Sequence, residues 1–279
     1  MAINWNKYIG SYKNQVRIAA GATAGAATAA RWMSTLGIAG YAPSGGSLNP
    51  GNTTTGLVPV AGAGGFPAIE SPTGNNKLYL TGVELESTVT ASFAIFDVLF
   101  WAGATTIPTS GTTTVALSSQ PDFSGRLPFK SDGVTIDYSQ TELWAFAATA
   151  NSNHTHSVSA DYTDQDDNPG ANTGNFSTQN RIANTMLPLQ WAAGDSGVRK
   201  LEGYKVNGVT SASGTVTVAI LRRLWMANCR FSSLVHGPDM ARFRQVFPTS
   251  ALMLALQADS TSMGLPAVRL EISHMDPDA

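Results

Sequence analysis

Charge is scarce in this 279-residue chain: 17 Lys and Arg against 19 Asp and Glu, 13% in all, with a net charge of −2. About a quarter of a typical domain is charged. A surface wetted mainly by Ser, Thr, Asn and backbone loses little hydration on contact, which favours burial against partners. The missing basic excess argues against a general nucleic-acid binder. With Cys229 as the single cysteine, an intramolecular disulfide framework is excluded, and that residue reads as a small, partly buried apolar side chain. Long hydrophobic runs are absent too, so no segment reads as a transmembrane helix and no membrane partner is expected. The stretch Ile18 to Ala30 follows Lys13 and Arg17 but is mostly Ala, Gly and Thr, too weak for a signal-peptide core.

What the chain does have begins with aromatics near its start. Trp5, Tyr8, Ile9, Tyr12 and Val16 follow helical spacing, with Asn4 as N-cap and Gly10 against it. A short helix is expected, docked on its own domain or on a neighbouring subunit. Between Gly21 and Gly65 there are 11 glycines, and Arg31 is the only charge. Small clusters interrupt this stretch: Trp32 with Met33, Leu36, Ile38, Tyr41, and Leu57 to Val60. Such a segment cannot easily build a core of its own. It reads as an extended arm, residues 1–64, whose large side chains fill pockets on another surface; a flexible linker is the alternative. Trp5, Tyr8, Tyr12, Trp32, Met33, Leu36, Ile38 and Tyr41 are the candidate interface residues.

The rest of the chain resembles itself. Phe66-Pro67-Ala68-Ile69 matches Leu187-Pro188-Leu189-Gln190, and Leu80 to Leu85 matches Leu201 to Val206; both share one offset, 187 − 66 = 201 − 80 = 121. With small gaps, Phe93 to Trp101 follows Val216 to Trp225. Pro121-Asp122 and Arg126 follow Pro238-Asp239 and Arg242. Glu142 to Phe146 follows Ala251 to Ala255, and Val158, Ala160, Tyr162 follow Val268, Leu270, Ile272. Period-two alternation, as in Val268, Leu270 and Ile272 against Arg269, Glu271 and Ser273, marks these segments as strands. The fold expected is mainly β: two tandem, internally repeated antiparallel β-sandwich domains, jelly-roll-like, over 65–165 and 186–279. A connector, 166–185, joins them. One merged sheet system is the alternative.

Catalytic patterns are weak. Gly194-Asp195-Ser196-Gly197 mimics the nucleophile loop of chymotrypsin-like proteases. No histidine precedes His154, only 42 residues upstream (196 − 154), and the repeat aligns the loop with a strand-connecting turn, Thr73 to Asn76. His154 and His156 alone make an incomplete metal site. Asp161, Asp164, Asp166 and Asp167 lack the EF-hand spacing and its closing glutamate, so a solvated acidic loop is expected. Glu70, Glu84, Glu86, Glu142, Glu202 and Glu271 form no defensible acid–base pair, and no phosphate or dinucleotide fingerprint is present. Trp101, Trp144, Trp191 and Trp225 could form sugar-stacking platforms, but most lie at equivalent places on repeated strands, which favours packing. No enzyme, metal or cofactor is expected.

Low charge, Gly/Thr/Ala richness and an N-terminal arm occur together with Gly56-Leu57-Val58-Pro59, Leu117-Ser118-Ser119-Gln120-Pro121, Ala193 to Val198 and Ala258-Asp259-Ser260-Thr261. In these the chain resembles virion structural proteins of tailed bacteriophages. The resemblance implies a decoration or cement protein on the capsid surface, made in the host cytoplasm. It also implies binding to the major capsid protein and to neighbouring copies, as a homotrimer. A tail, collar or baseplate component, or a carbohydrate-binding adhesion module, are the alternatives.

Overall fold

A computed structural model describes residues 13–20, 26–36, 52–72, 74, 76–151, 156–178, 181–209, 214–229, 234–237, 243–264 and 266–275. The strands in chain order begin with β1 (Lys13–Ala20), β2 (Trp32–Ser34), β3 (Asn52–Leu57), β4 (Lys77–Glu86), β5 (Ala91–Thr106) and β6 (Ser110–Ala116). Then come β7 (Thr141–Thr149), β8 (His156–Asp164), β9 (Ala171–Asn172), β10 (Phe176–Ser177), β11 (Thr185–Leu189) and β12 (Val198–Val209). The last are β13 (Thr215–Cys229), β14 (Leu234–Gly237), β15 (Arg244–Val246), β16 (Leu252–Ala258) and β17 (Ala267–Met275). Two 3-10 turns, Ser124–Arg126 and Tyr138–Gln140, are the helical elements among the described residues.

β5 explains the architecture. From Phe93 to Ala102 it is buried without interruption, a run with no polar side to offer water. Such a strand must be covered on both faces. Here one face lines a closed barrel and the other packs under an outer sheet. The ring runs β13-β7-β11-β2-β16-β5 and closes through antiparallel β13–β5 pairing. Its interior holds Phe96, Val98, Trp144, Phe146, Met186, Leu221 and Met253. Two further sheets lie against its outside, one ordered β1-β17-β4-β14 with β15 also on β4, the other β10-β8-β12-β6 with β9 on β8. The first covers Phe93, Ile95, Trp225 and Leu254; the second covers Leu99, Phe100, Leu143 and Val218. Register shifts between β13 and β5, at Ile220/Leu221 and Arg223/Trp225, let one strand serve both outer cores.

The two sandwiches are therefore not consecutive in the chain, as 65–165 and 186–279 would require. β4 pairs with β17, β8 pairs with β12, and β5 and β13 pair with each other. The sheets form the merged system that was the alternative expectation. If β4, β5, β7 and β8 are matched with β12, β13, β16 and β17, the pairings correspond: β4–β17 with β12–β8, and β5–β16 with β13–β7. Strands of each segment are thus completed by the other. Period two identifies the buried face of a strand, not which distant strand lies beside it.

The expected N-terminal helix is corrected only at its last position. Trp5, Tyr8, Ile9 and Tyr12 lie outside the described residues, but Val16 sits in β1, paired with Leu270. Edge pairing with β17 satisfies the backbone there, and β-branched Val16 and Ile18 suit a strand. The arm also folds back at 26–36: Ala27 and Ala30 donate to the carbonyls of Thr261 (2.9 Å) and Ala258 (2.8 Å), and β2 inserts between β11 and β16. Without β2 the barrel ring would be open.

Candidate interaction surface

Of the eight candidate interface residues, Trp5, Tyr8, Tyr12, Ile38 and Tyr41 lie outside the described residues. Met33 and Leu36 are 0% and 2% exposed, filling the chain's own cores. Trp32 is half-buried and meets Trp144 edge-on, ring centroids 6.3 Å apart. The pockets for these three belong to the same chain, so Met33 and Leu36 cannot anchor a partner. Anchor residues and core residues have the same composition, and the sequence does not say whose pocket they enter.

The other candidates fall into structural places. Ser196 is exposed, and its backbone N–H donates to Gln165 Oε1 at 2.9 Å, as that of Gly197 does at 3.1 Å. A Cβ on Gly197 would stand 2.0 Å from the Tyr138 carbonyl oxygen, so this glycine permits a close backbone crossing. Asp195 accepts from the Tyr162 hydroxyl at 2.6 Å; burial first, then this carboxylate, raises the phenol pKa. The loop is a turn pinned to β8. Asp164 closes its own loop, accepting from the backbone N–H of Asp166 (2.8 Å) and Asn168 (2.9 Å); hydrogen bonds from Asn168 hold its pKa down. Among the described residues no group of three or more His, Cys, Asp or Glu is placed to hold a metal ion. His154 lies outside them. Trp101, Trp144 and Trp225 are buried and Trp191 is half-buried, so the first three offer no stacking face. Among the described residues no helix is long and apolar enough to cross a membrane.

One charged cluster is buried, around Asp97 on β5. Asp97 pairs with Arg126 and stands 3.6 Å from Arg222, all three at most 4% exposed. It also accepts from Ser250 Oγ (2.7 Å) and the Ala251 N–H (2.9 Å). Arg126 reaches onward to the carbonyls of Val98 (2.9 Å) and Pro59 (2.5 Å), and Arg222 to that of Gln245 (2.7 Å). Burial lowers the pKa of both arginines to about 9, Arg222 adding to the effect on Arg126 and Arg244 to that on Arg222. Both stay protonated at neutral pH. The cluster is sealed from solvent, and its work is to tie segments together.

What it ties are two segments that carry exposed apolar side chains. Five large hydrophobic residues are exposed among the described ones: Leu57, Val60, Phe129, Val134 and Met226. Four belong to two segments joined by the Arg126–Pro59 hydrogen bond: Leu57 and Val60 flank Pro59, and Phe129 is three residues beyond Arg126. Phe129 and Val134 sit on a tight hairpin. Phe129 bridges Ile136, Lys130 N–H donates to the Thr135 carbonyl (2.7 Å), and Gly133 takes a positive φ of 72° at the turn. Asp132 accepts from the N–H groups of Val134 (2.9 Å) and Thr135 (2.8 Å); bonds from Thr135, then from Val134, hold its pKa at about 2. With its backbone so satisfied, the hairpin holds Val134 out at 79% exposure without needing a partner to order it. The sequence reading missed Phe129 and Val134. Their signal was Asp132-Gly133, a turn dipeptide with apolar residues on either side.

No family model matches this chain, and no curated protein matches it. A structure of infectious bursal disease virus, Gt strain, is 12% identical over 96% of this chain and 81% of its own, with a TM-score of 0.17. The crystal structure of the infectious bursal disease virus VP2 subviral particle is 9% identical over 95% and 80%, again with a TM-score of 0.17. At that score neither carries an argument about fold or function.

Proposed function

We propose that this protein is a non-enzymatic virion structural protein, a decoration or cement protein that binds the outside of a phage capsid. The observation that carries the reading is the exposure of four large apolar side chains, Leu57, Val60, Phe129 and Val134, on two tied segments of a chain of low charge. Fully burying one such side chain is worth about 1.5–3 kcal/mol, while association costs roughly 4–15 kcal/mol. One copy therefore gives a weak contact, and many copies on one shell turn weak contacts into firm attachment. The sequence resemblance supplies the partners: the major capsid protein and further copies of this chain, as a homotrimer. The strand-for-strand correspondence of the two segments supports a duplicated unit, in keeping with the 121-residue offset.

Removing the arm is a poor test of this reading, because residues 1–60 contain three strands of the fold. The test is Phe129→Ser with Val134→Ser, mixed with undecorated capsids. We expect capsid co-sedimentation to be lost and the melting midpoint of the free protein to be kept. Full binding by the double variant would refute the role of these side chains. Recovery of the protein on tails, with none on heads, would move it to the tail.

A further inference from the structure

The two segments correspond through a two-fold relation that exchanges β5 with β13 about the pair Val98↔Leu221, and β2 with β11 about Met33↔Thr185. On its edge away from β13, β5 is paired by β16 over 91–97 and then meets β3 at Trp101 and Gly103. On its edge away from β5, β13 is paired by β7 over 215–222. Beyond that point, among the described residues, no strand lies beside 223–228. Chain length explains the difference. β2 leads to β4 through 42 residues (77 − 34 − 1), β3 among them. β11 leads to β12 through 8 (198 − 189 − 1), too few for a strand with a turn on either side.

An edge of this kind offers backbone N–H and C=O groups to another strand. It also offers an apolar side chain. Met226 is 50% exposed, and of the large exposed hydrophobic residues it alone lies away from the Pro59 and Phe129 segments. Arg223 is already paired with Glu142 at 2.8 Å, so nothing here calls for a charged partner.

We propose that residues 1–6 of the same chain pair with β13 over 223–228 and cover Met226. Residues 1–12 lie outside the described residues; reach, direction and pattern select them. A row of pairs crosses the end of the first outer sheet: Lys13↔Ser273, Ser273↔Tyr79 and Tyr79↔Gln245. Arg222 Nη2 then donates to the Gln245 carbonyl at 2.7 Å. Three strand spacings, about 14 Å, and one arginine side chain thus separate Lys13 from β13. The 12 residues before Lys13 span up to about 40 Å when extended. About six of them suffice to cross the sheet end, which leaves 1–6 for the edge. Read from Met1, a segment entering this way runs from the Asn228 end to the Arg223 end, antiparallel to β13, as β3 is antiparallel to β5. Met1, Ile3 and Trp5 alternate with Ala2, Asn4 and Asn6, the period of a strand with one covered face. Lys7, the only charged side chain before Lys13, falls in the crossing stretch. Ile3 opposite Met226 sets Met1 opposite Asn228. The proposal does not rest on the virion reading.

The test compares the full chain with one lacking residues 2–6, a deletion that removes no described element. Hydrogen exchange is followed by NMR at the amides of 223–228 that point away from β5. In the deletion variant these should exchange about tenfold faster or more, while the amides of 215–222 keep their rates. A second measurement joins Ile3→Cys to Met226→Cys. Cα atoms opposed across an antiparallel pair are about 4.5–5.5 Å apart, inside the disulfide range. Mild oxidation should consume both new thiols at the 29.2 kDa chain mass, and neither single variant should link to Cys229, which is buried. A cross-linked species of twice that mass would give the edge to a neighbouring copy. Amides equally slow without residues 2–6 would give it to another segment. Fast amides in the full chain would leave it unpaired, as would a helix over 1–12. Each of these results overturns the proposal.

Discussion

Asp97→Asn is the sharpest perturbation of this fold, because it removes one charge and almost no volume. The native carboxylate is fully buried and faces Arg126, Arg222, Ser250 Oγ and the Ala251 N–H. An amide leaves two buried guanidinium groups without their shared counter-charge and turns an N–H₂ toward donors. Breaking a buried ion pair from one side costs roughly 3–5 kcal/mol. For chains of this size each kcal/mol moves the midpoint by about 2–4 °C, so the loss should be roughly 6–20 °C. The exposed pair Arg269–Glu84, at 55% and 52% exposure, is the internal control: Glu84→Gln should cost about 0–1 kcal/mol. Calorimetric or fluorescence melts of the three proteins at neutral pH decide the matter. An Asp97→Asn midpoint indistinguishable from that of Glu84→Gln would refute the assignment of Asp97 as the tie between β5, the Arg126 turn and the Pro59 segment. If the protein binds capsids as proposed, Asp97→Asn should also weaken that binding at temperatures where the protein is still folded, because the tie positions the Pro59 segment and the Phe129 hairpin.

Two further outcomes follow from the same strand pairings and hydrogen bonds. Separately produced fragments 1–179 and 180–279 should each lack a cooperative melt, since β4 and β8 need β17 and β12; mixing should restore one, and a cooperative melt from either fragment alone would show that the exchanged pairing is dispensable. Acid should destabilise: Asp132, Asp137, Asp164 and Glu202 all have lowered folded pKa values, so their contribution is complete above the unfolded values and is lost as pH falls from about 4 toward 2; a midpoint that rises over that window would contradict the hydrogen bonds assigned to them.

Some of this was legible in the residues. The alternation of Val268, Leu270 and Ile272 marked a strand with one buried face, and all three are at most 1% exposed. Cys229 packs as the small apolar side chain expected, buried more fully than that reading had it, and Trp101, Trp144 and Trp225 pack inward. Glu84 and Glu86 point outward from β4 at the alternating positions expected of them. Side-chain periodicity is a local property, fixed by backbone geometry within a few residues, so a sequence can carry it unaided.

Tertiary structure decided the partners. Met33 and Leu36 looked like anchors for a foreign pocket and fill their own, because a pocket is defined by residues more than a hundred positions away, such as Leu254 and Phe146. The pairing of β4 with β17 is equally non-local, and the same hydrophobic face would have fitted a sandwich built from either segment. Asp97, alone in an apolar run, gave no hint that Arg126 and Arg222 would converge on it from two other elements. Apolar burial is non-directional and fixes which faces are covered; register, ring closure and buried charge are directional, and they fixed which strands cover them.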